Sequence, residues 1–445
     1  MTTRRFDVTA IGNAIVDVLA KADDALLAAH NLPKGAMNLI DAAMAETLYS
    51  VMGPGKEASG GSAGNTIAGI AMLGGKTAYI GKVAADQLGE VFAHDIRAAG
   101  VTFDTKALVG GLPTARSLIF VTPDAQRTMQ TFLGACTQLG PDDVNMDHIA
   151  ASKVVYMEGY LWDLPAAKKA MIDAAMKAKA SGVKVSLTLS DSFCVGRFRD
   201  EFLDLAEKHV DILFANESEI LSLYQTENFD EAVVQVKKHC EIAALTRSEK
   251  GSVVVNGNDV YTIQAVPGVT VVDTTGAGDA YAAGFLYAYT QGHDLRTCGR
   301  LGGAMAADVI SQMGPRSDID TVKKVRASVL GSPWCSRFEV LSSRFVFSSR
   351  CSPFCVRFLR RRKWSPCLLP GSPRGLSSPS PGPRRRCTQP SPACRTGGTR
   401  RTPTRATPGT CHLPPHPAAA SARSCRVEAC NMGPWSWPCR RRRCV

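Results

Sequence analysis

Asp273-Thr274-Thr275-Gly276-Ala277-Gly278-Asp279 stands between an apolar stretch, Val269 to Val272, and a run of small residues, Ala280 to Tyr289. The first predicts an extended segment and the second a helix, so these seven residues read as a strand-to-helix loop. Glycines at 276 and 278 allow a sharp turn and a close approach of backbone to ligand. At the start of the following helix the amides of Ala277, Gly278 and Asp279 lack partners, and the positive end of the dipole lies behind them. Such a place suits a phosphate. Asp279 is then a carboxylate at the mouth of an anion site, which is unfavourable unless it takes a proton from a hydroxyl attacking a phosphoryl group. The plain alternative is a tight turn with a first-turn acid that the dipole favours, and a bare G-x-G-D does not separate the two.

The surrounding chain predicts repeated βα units. Phe6 to Gly12 reads as a first strand, with Asn13 and Asp17 just past its end, where open α/β sheets bind ligands. Gly60-Gly61-Ser62-Ala63-Gly64-Asn65 opens a helix of small residues. Pro113–Thr122 and Arg127–Leu133 read as a hairpin joined at residues 123–126. From residue 153 on, apolar strands alternate with helices, and helices at 281–291 and 295–312 finish the body. The expectation is an α/β fold of three layers, with a mainly parallel sheet between helices and a small β lid over the site. The lid falls at roughly 14–58 and 106–135, within a domain spanning 1–330. Gly74-Gly75-Lys76-Thr77 imitates a P-loop ending, but it runs from helix to strand and lacks the earlier glycine.

The pairs Asn13/Asp17 and Gly61/Asn65 offer donors and acceptors suited to vicinal hydroxyls, although either pair alone reads equally as a turn or a cap. Taken together, the stretches carry a resemblance. DTTGAGDAYAAGFL, Asp273 to Leu286, resembles the C-terminal signature of the ribokinase-like (PfkB) sugar and nucleoside kinases. GGSAGNTIAGIAMLGGKTAYIGKVAADQLGE, Gly60 to Glu90, looks like their N-terminal signature. The resemblance implies that Asp279 is the catalytic base and that Gly276, Ala277 and Gly278 form the anion hole. It implies that Asp17 binds two substrate hydroxyls while Asn13, Gly61 and Asn65 hold the sugar. In the adenosine-kinase-like branch an arginine leaving the hairpin reaches toward the phosphates, which here is Arg127, and a planar fork of donors suits that task.

Two further stretches fit the same family. Asn216-Glu217-Ser218-Glu219 matches its N-x-x-E, whose acid, here Glu219, acts on Mg2+ largely through water; the same spacing also reads as a helix capping pair. Thr246-Arg247-Ser248-Glu249-Lys250-Gly251 matches the T-x-G-x-x-G nucleotide loop except that Ser248 replaces a glycine, so Asn216, Thr246, Ser248 and Gly251 are the expected ATP-side residues. Residues 6–326 look most like adenosine-kinase-like bacterial members. The resemblance therefore implies ATP- and Mg2+-dependent phosphorylation of a nucleoside 5′-hydroxymethyl group, adenosine to AMP in purine salvage, with ribose, fructose or a related sugar as the rival acceptor. Tyr160 and Trp162, with Met37 and Leu39 of the lid, are candidates for stacking on a base or for core packing.

The charge separates the chain into two materials. Residues 331–445 carry 22 Lys and Arg against 2 Asp and Glu, whereas residues 1–330 carry 30 against 38. The overall +12 is thus a property of the tail, and a nucleic-acid reading of the whole chain is excluded. The tail also holds 11 of 15 cysteines and 17 of 25 prolines, a composition that cannot bury a core and predicts disorder. Its bias is what reading GC-rich DNA out of frame produces. The rivals are an RNA-associated arginine segment, which would give the chain a non-enzymatic role, a disulfide framework, and a zinc site at Cys387, Cys394, His412 and His416 whose spacing misses that of zinc fingers. In the body, four scattered cysteines fit a reduced compartment. No apolar run nears the roughly 18 residues of a membrane helix, and polar residues at 7, 13 and 17 interrupt any signal-like core. The expectation is a soluble, cytoplasmic enzyme.

Overall fold

The computed structural model describes residues 4–331 apart from residue 125; the expectations for the arginine-rich tail fall on residues outside these. Fourteen strands are described: β1 Phe6–Ile11, β2 Ile15–Lys21, β3 Met37–Leu39, β4 Gly55–Gly60, β5 Thr77–Ile80, β6 Val101–Phe103, β7 Ala115–Val121, β8 Arg127–Phe132, β9 Ser152–Glu158, β10 Lys184–Thr188, β11 Ile212–Asn216, β12 Ile242–Thr246, β13 Ser252–Asn256 and β14 Asp259–Ile263. Nine form one sheet in the order β14-β13-β12-β11-β10-β9-β1-β5-β6. It is parallel from β6 to β12, and the two edge strands β13 and β14 are antiparallel.

Successive residues of these strands face opposite layers, as the pleat requires. Val8, Ala10, Val154, Tyr156 and Phe214 join a core with the helices Ser62–Met72, Ala277–Thr290 and Leu295–Ile310. Ile11, Val155, Met157, Leu187 and Leu213 join a second core with the helices Pro165–Ala180, Ser192–Lys208 and Glu217–Tyr224. Both faces being covered, the strands are apolar throughout. This is the three-layer α/β arrangement expected.

The remaining strands form the small second sheet, β3-β8-β7-β2-β4. The β7–β8 hairpin is antiparallel, as predicted, and β2 pairs with β7 in parallel. Val16, Val18, Leu118 and Phe120 pack this sheet into the first core. Asp17 lies past the end of β1, within the lid strand β2. Two readings are corrected. Val269 to Val272 is not a strand: Val271 and Val272 are exposed, and only the Val272 and Asp273 amides reach a neighbour, the Ile310 carbonyl. The body ends with one more helix than expected, Ile319–Leu330, which packs on Leu295–Ile310.

Candidate active site

The chain leaves β1 for β5 on one side and returns on the other as β9, so the strand order reverses between β1 and β9. Helix Ser62–Met72 lies in one layer and Pro165–Ala180 in the opposite one, which opens a crevice at the carboxyl ends of these strands. Across that opening the Asn13 side-chain amide donates to Glu158 Oε1 at 2.7 Å. Glu158 Oε2 accepts from the Ala63 amide at 2.9 Å. Burial pushes Glu158 up to about 7 against these bonds. Gly61 has φ +81°, and a Cβ there would lie 2.1 Å from the Asn13 carbonyl oxygen, so only glycine lets the helix start this close to β1.

The same helix reaches the quoted loop. Gly69 faces Ala283 so closely that an added Cβ would meet the alanine methyl at 2.8 Å, which is why small residues recur on both helices. This packing sets Ser62 Oγ to donate to Asp279 Oδ1 at 2.7 Å and Asn65 Nδ2 to Asp279 Oδ2 at 3.0 Å. Burial pushes Asp279 up to about 6, opposed by those two bonds and by Arg316. Asp17 is also pushed up to about 6, by burial and by Asp279 against the pull of Arg316 and Arg127. Unlike Asp279, the Asp17 carboxylate receives no hydrogen bond from the described residues. It lies over Gly60, whose added Cβ would meet Asp17 Oδ2 at 2.4 Å.

The loop before Asp279 is shaped by Asp273. Its carboxylate accepts from the Thr275 amide at 3.0 Å and from the Gly314 amide at 2.9 Å. Gly276 caps the helix with φ +77°, pressed on Pro315. The Ala277 amide turns inward to the Thr274 carbonyl, 3.2 Å away, and closes the turn. That leaves the amides of Gly278 and Asp279 without a partner among the described residues; a Cβ on Gly278 would meet nothing within 4 Å. Arg127 is buried, not solvated: its Nη2 lies 2.7 Å from Asp273 Oδ2, with side chains 7% and 6% exposed. The alignment is not that of a hydrogen bond, and Nε, Nη1 and Nη2 all lack an acceptor among the described residues. A guanidinium paired with Asp273 that still has donors to offer, beside two free amides, is the donor set that an anion requires.

At the ends of β11 and β12 lie the expected nucleotide-side residues. Asn216 and Glu219 form the capping box that their spacing predicts. Asn216 Oδ1 accepts from the Glu219 amide at 2.9 Å, Glu219 Oε2 accepts from the Asn216 amide at 3.0 Å, and Asn216 Nδ2 donates to Glu219 Oε1. Burial pushes Glu219 up to about 7, helped by Asp191 and Asp279. A buried acid facing other acids suits a cation, but both its oxygens are engaged, so the residues fit Mg2+ held through water. Among the described residues no three His, Cys, Asp or Glu converge as a metal cluster. Thr246 ends β12, and Gly251 closes the following turn through its carbonyl to the Arg247 amide at 2.8 Å. Ser248 takes a left-handed conformation, φ +50°, which glycine adopts without strain.

Sequence reasoning missed Glu158, Arg316 and Ser190. Glu158 carried one signal, a lone acid closing an apolar strand. Ser190 sits at φ +73° after β10, where its Oγ accepts from the Tyr160 amide at 3.2 Å. Trp162 is core, 2% exposed, with Nε1 donating to Glu201 at 3.0 Å. Tyr160, Met37 and Leu39 are exposed.

Comparison with known proteins gives the class. The adenosine kinase of Sinorhizobium meliloti shares 57% identity, covering 73% of this chain and 99% of its own, with a TM-score of 0.68. A probable sugar kinase from Rhizobium etli CFN 42 shares 55%, covering 74% and 99%, with a TM-score of 0.69. The adenosine kinase of Saccharomyces cerevisiae is 28% identical over 327 residues, 68% of this chain and 95% of that protein. This is an ATP-dependent kinase of a nucleoside or sugar. The chain belongs to the pfkB family of carbohydrate kinases, whose sequence pattern matches residues 41–322. No described helix is long and apolar enough to cross a membrane.

Proposed function

We propose that the chain transfers the γ-phosphoryl group of ATP to the 5′-hydroxymethyl of a nucleoside, adenosine foremost. The observation that carries this reading is the pair of carboxylates on the lid strand β2 and at the start of the Ala277–Thr290 helix, Asp279 held by two donors and Asp17 by none among the described residues. A carboxylate near pH 6 is ionised at neutral pH yet basic enough to take a proton in the transition state. Asp279 removes the proton of the attacking hydroxyl. Asp17, on the lid strand, accepts two ribose hydroxyls, which satisfies the oxygens the protein leaves free. Asn13, Gly61 and Asn65 shape the sugar's bed. The amides of Gly278 and Asp279 and the Arg127 fork stabilise charge on the moving phosphoryl, where preorganised donors act most strongly. Thr246, Ser248 and Gly251 line the nucleotide side. Mg2+, when bound, offsets phosphate charge, and Glu219 holds its water shell.

The nucleoside assignment is supported by the Sinorhizobium meliloti relative and by the exposed Met37 and Leu39, which share one face of β3 and offer apolar cover for a base. The sugar reading is favoured by the Rhizobium etli relative at nearly equal similarity. We place the enzyme in the cytoplasm, where ATP and nucleosides meet. An ADP-coupled assay across adenosine, guanosine, ribose and fructose tests the reading: the highest kcat/KM belongs to adenosine, and a free sugar exceeding every nucleoside overturns it.

A further inference from the structure

Arg316 belongs to none of the motifs above. It follows the Leu295–Ile310 helix in the turn Gly314-Pro315-Arg316, and its side chain is only 15% exposed. Its Nε donates to Asn65 Oδ1 at 2.9 Å, and its Nη1 donates to Ser59 Oγ of the lid strand β4 at 2.7 Å. Asp95 completes the link: its Oδ2 lies 3.6 Å from Nη1 and accepts from the Ser59 amide at 2.8 Å. Asn65 carries one acceptor and one donor group on its amide. A guanidinium only donates, so with Arg316 bound to Oδ1 the Nδ2 must face Asp279. Turned over, the amide would set its oxygen against the carboxylate and its NH2 against the arginine. The guanidinium is also the buried cation among three acids, Asp17, Asp95 and Asp279, with the Tyr79 hydroxyl alongside. Asp279 in turn feels Asp17, Glu158, Glu219 and Tyr156 from the surrounding elements.

We propose that Arg316 is a positioning residue for phosphoryl transfer, fixing the Asn65 amide that holds Asp279 and balancing the facing carboxylates of Asp17 and Asp279. The proposal rests on the reading of Asp279 as the base. Arg316 lowers Asp279 and Asp17 against the rise that burial imposes. Removing the charge therefore raises both further, and the acid limb of kcat moves to higher pH.

The test is kcat against pH from 5 to 9 for wild type, Arg316→Gln and Arg316→Lys, each with a thermal melt. An opposite charge within about 4–6 Å moves a carboxylate by about 1–3 units, so we expect the Arg316→Gln limb to rise by about one unit. At pH 6, where about half of the wild-type carboxylate is ionised, that is a loss of about fivefold, largely recovered near pH 8.5. Arg316→Lys keeps the charge but cannot grip Asn65 and Ser59 together. Its limb stays in place while kcat falls at every pH, and a wild-type kcat in this variant overturns the proposal. So does an Arg316→Gln limb that coincides with wild type while kcat drops uniformly with the melting temperature. If Arg316→Gln fails to fold, Arg316→Lys decides. Asp279→Asn separates the two readings: full turnover there defeats the base assignment, whereas an inactive Asp279→Asn with an unmoved Arg316→Gln limb defeats only the role of Arg316.

Discussion

Asp279, half-buried, and Glu219, buried, are both acids pushed up, to about 6 and about 7, yet they are held in opposite ways. Glu219 is held by its own helix start, through Asn216 three residues away. Asp279 is held by Ser62 and Asn65, which lie 217 and 214 residues away on another helix. Local wiring forms with one turn of helix, whereas distant wiring exists only when two helices of small residues are packed. The difference follows the demands of the proposed chemistry. A group that must meet one proton needs placement within a fraction of an ångström, which packed elements supply. A group that acts on a hydrated cation tolerates looser placement, and a helix cap suffices.

The comparison breaks first at Asp279. Asp279→Asn keeps the shape but not the base, so kcat falls by about 10²–10⁴ while KM for the alcohol changes little; initial-rate kinetics check both. The same variant carries a stability signature. Asp279 is raised in the folded state, so the fold binds its proton more tightly than the unfolded chain does, and stability falls as pH rises from about 4 to about 6. Asparagine lacks this loss. The melting temperature of Asp279→Asn relative to wild type therefore improves between pH 4.5 and pH 7.5, and a flat difference would show that the carboxylate is not raised. Asp17→Ala comes next: it removes an acceptor that the protein leaves unpaired, lowering kcat/KM by about 10- to 100-fold, mostly through KM.

On the locally wired side the effects shrink. Glu219→Gln keeps an oxygen for the Asn216 amide but sets its NH2 against the Asn216 side-chain NH2, so its melt falls only slightly while half-saturation by Mg2+ moves to higher concentration. Glu219→Ala also loses the reciprocal bond to Asn216, at a cost of roughly 0.5–2 kcal/mol in stability. Equal melts for the two variants would mean that the box contributes nothing.

The same contrast sets what could be read from the sequence. The Asp279 loop, the Gly61–Asn65 helix start and the Asn216/Glu219 pair are contiguous strings whose spacing carries their geometry, and they were legible. Asp17 was legible just past the first strand, but its strand β2 was not, because the segment that follows, from residue 21 to 58, is broken by Pro33, Gly35 and Gly53. Its partner strand β4, Gly-Lys-Glu-Ala-Ser-Gly, has no strand propensity of its own and is extended only because β2 offers it a ladder. Val269 to Val272 failed in the other direction, apolar but with no strand edge beside it. Arg316 was illegible because its partners Asn65 and Ser59 lie 251 and 257 residues away, and no spacing rule spans that gap.

The smallest effect is expected at Ser248. It is exposed, holds φ +50°, and its hydroxyl makes no hydrogen bond among the described residues. The turn is closed instead by backbone: the Gly251 amide donates to the Ser248 carbonyl at 3.0 Å, and the Lys250 amide to the Arg247 carbonyl at 2.9 Å. Ser248→Gly relieves left-handed strain of roughly 1–2 kcal/mol. Glycine's greater freedom in the unfolded chain offsets about 0.4–1 kcal/mol of that gain, so the melt rises slightly or not at all. If backbone shape carries this loop, KM for ATP is unchanged. A rise of more than about tenfold, with the melt unchanged, would mean that the serine hydroxyl makes a charge-assisted contact to the nucleotide. The nucleotide side would then depend on a side chain as the acceptor side does, and the contrast between the two halves would narrow to Glu219 alone.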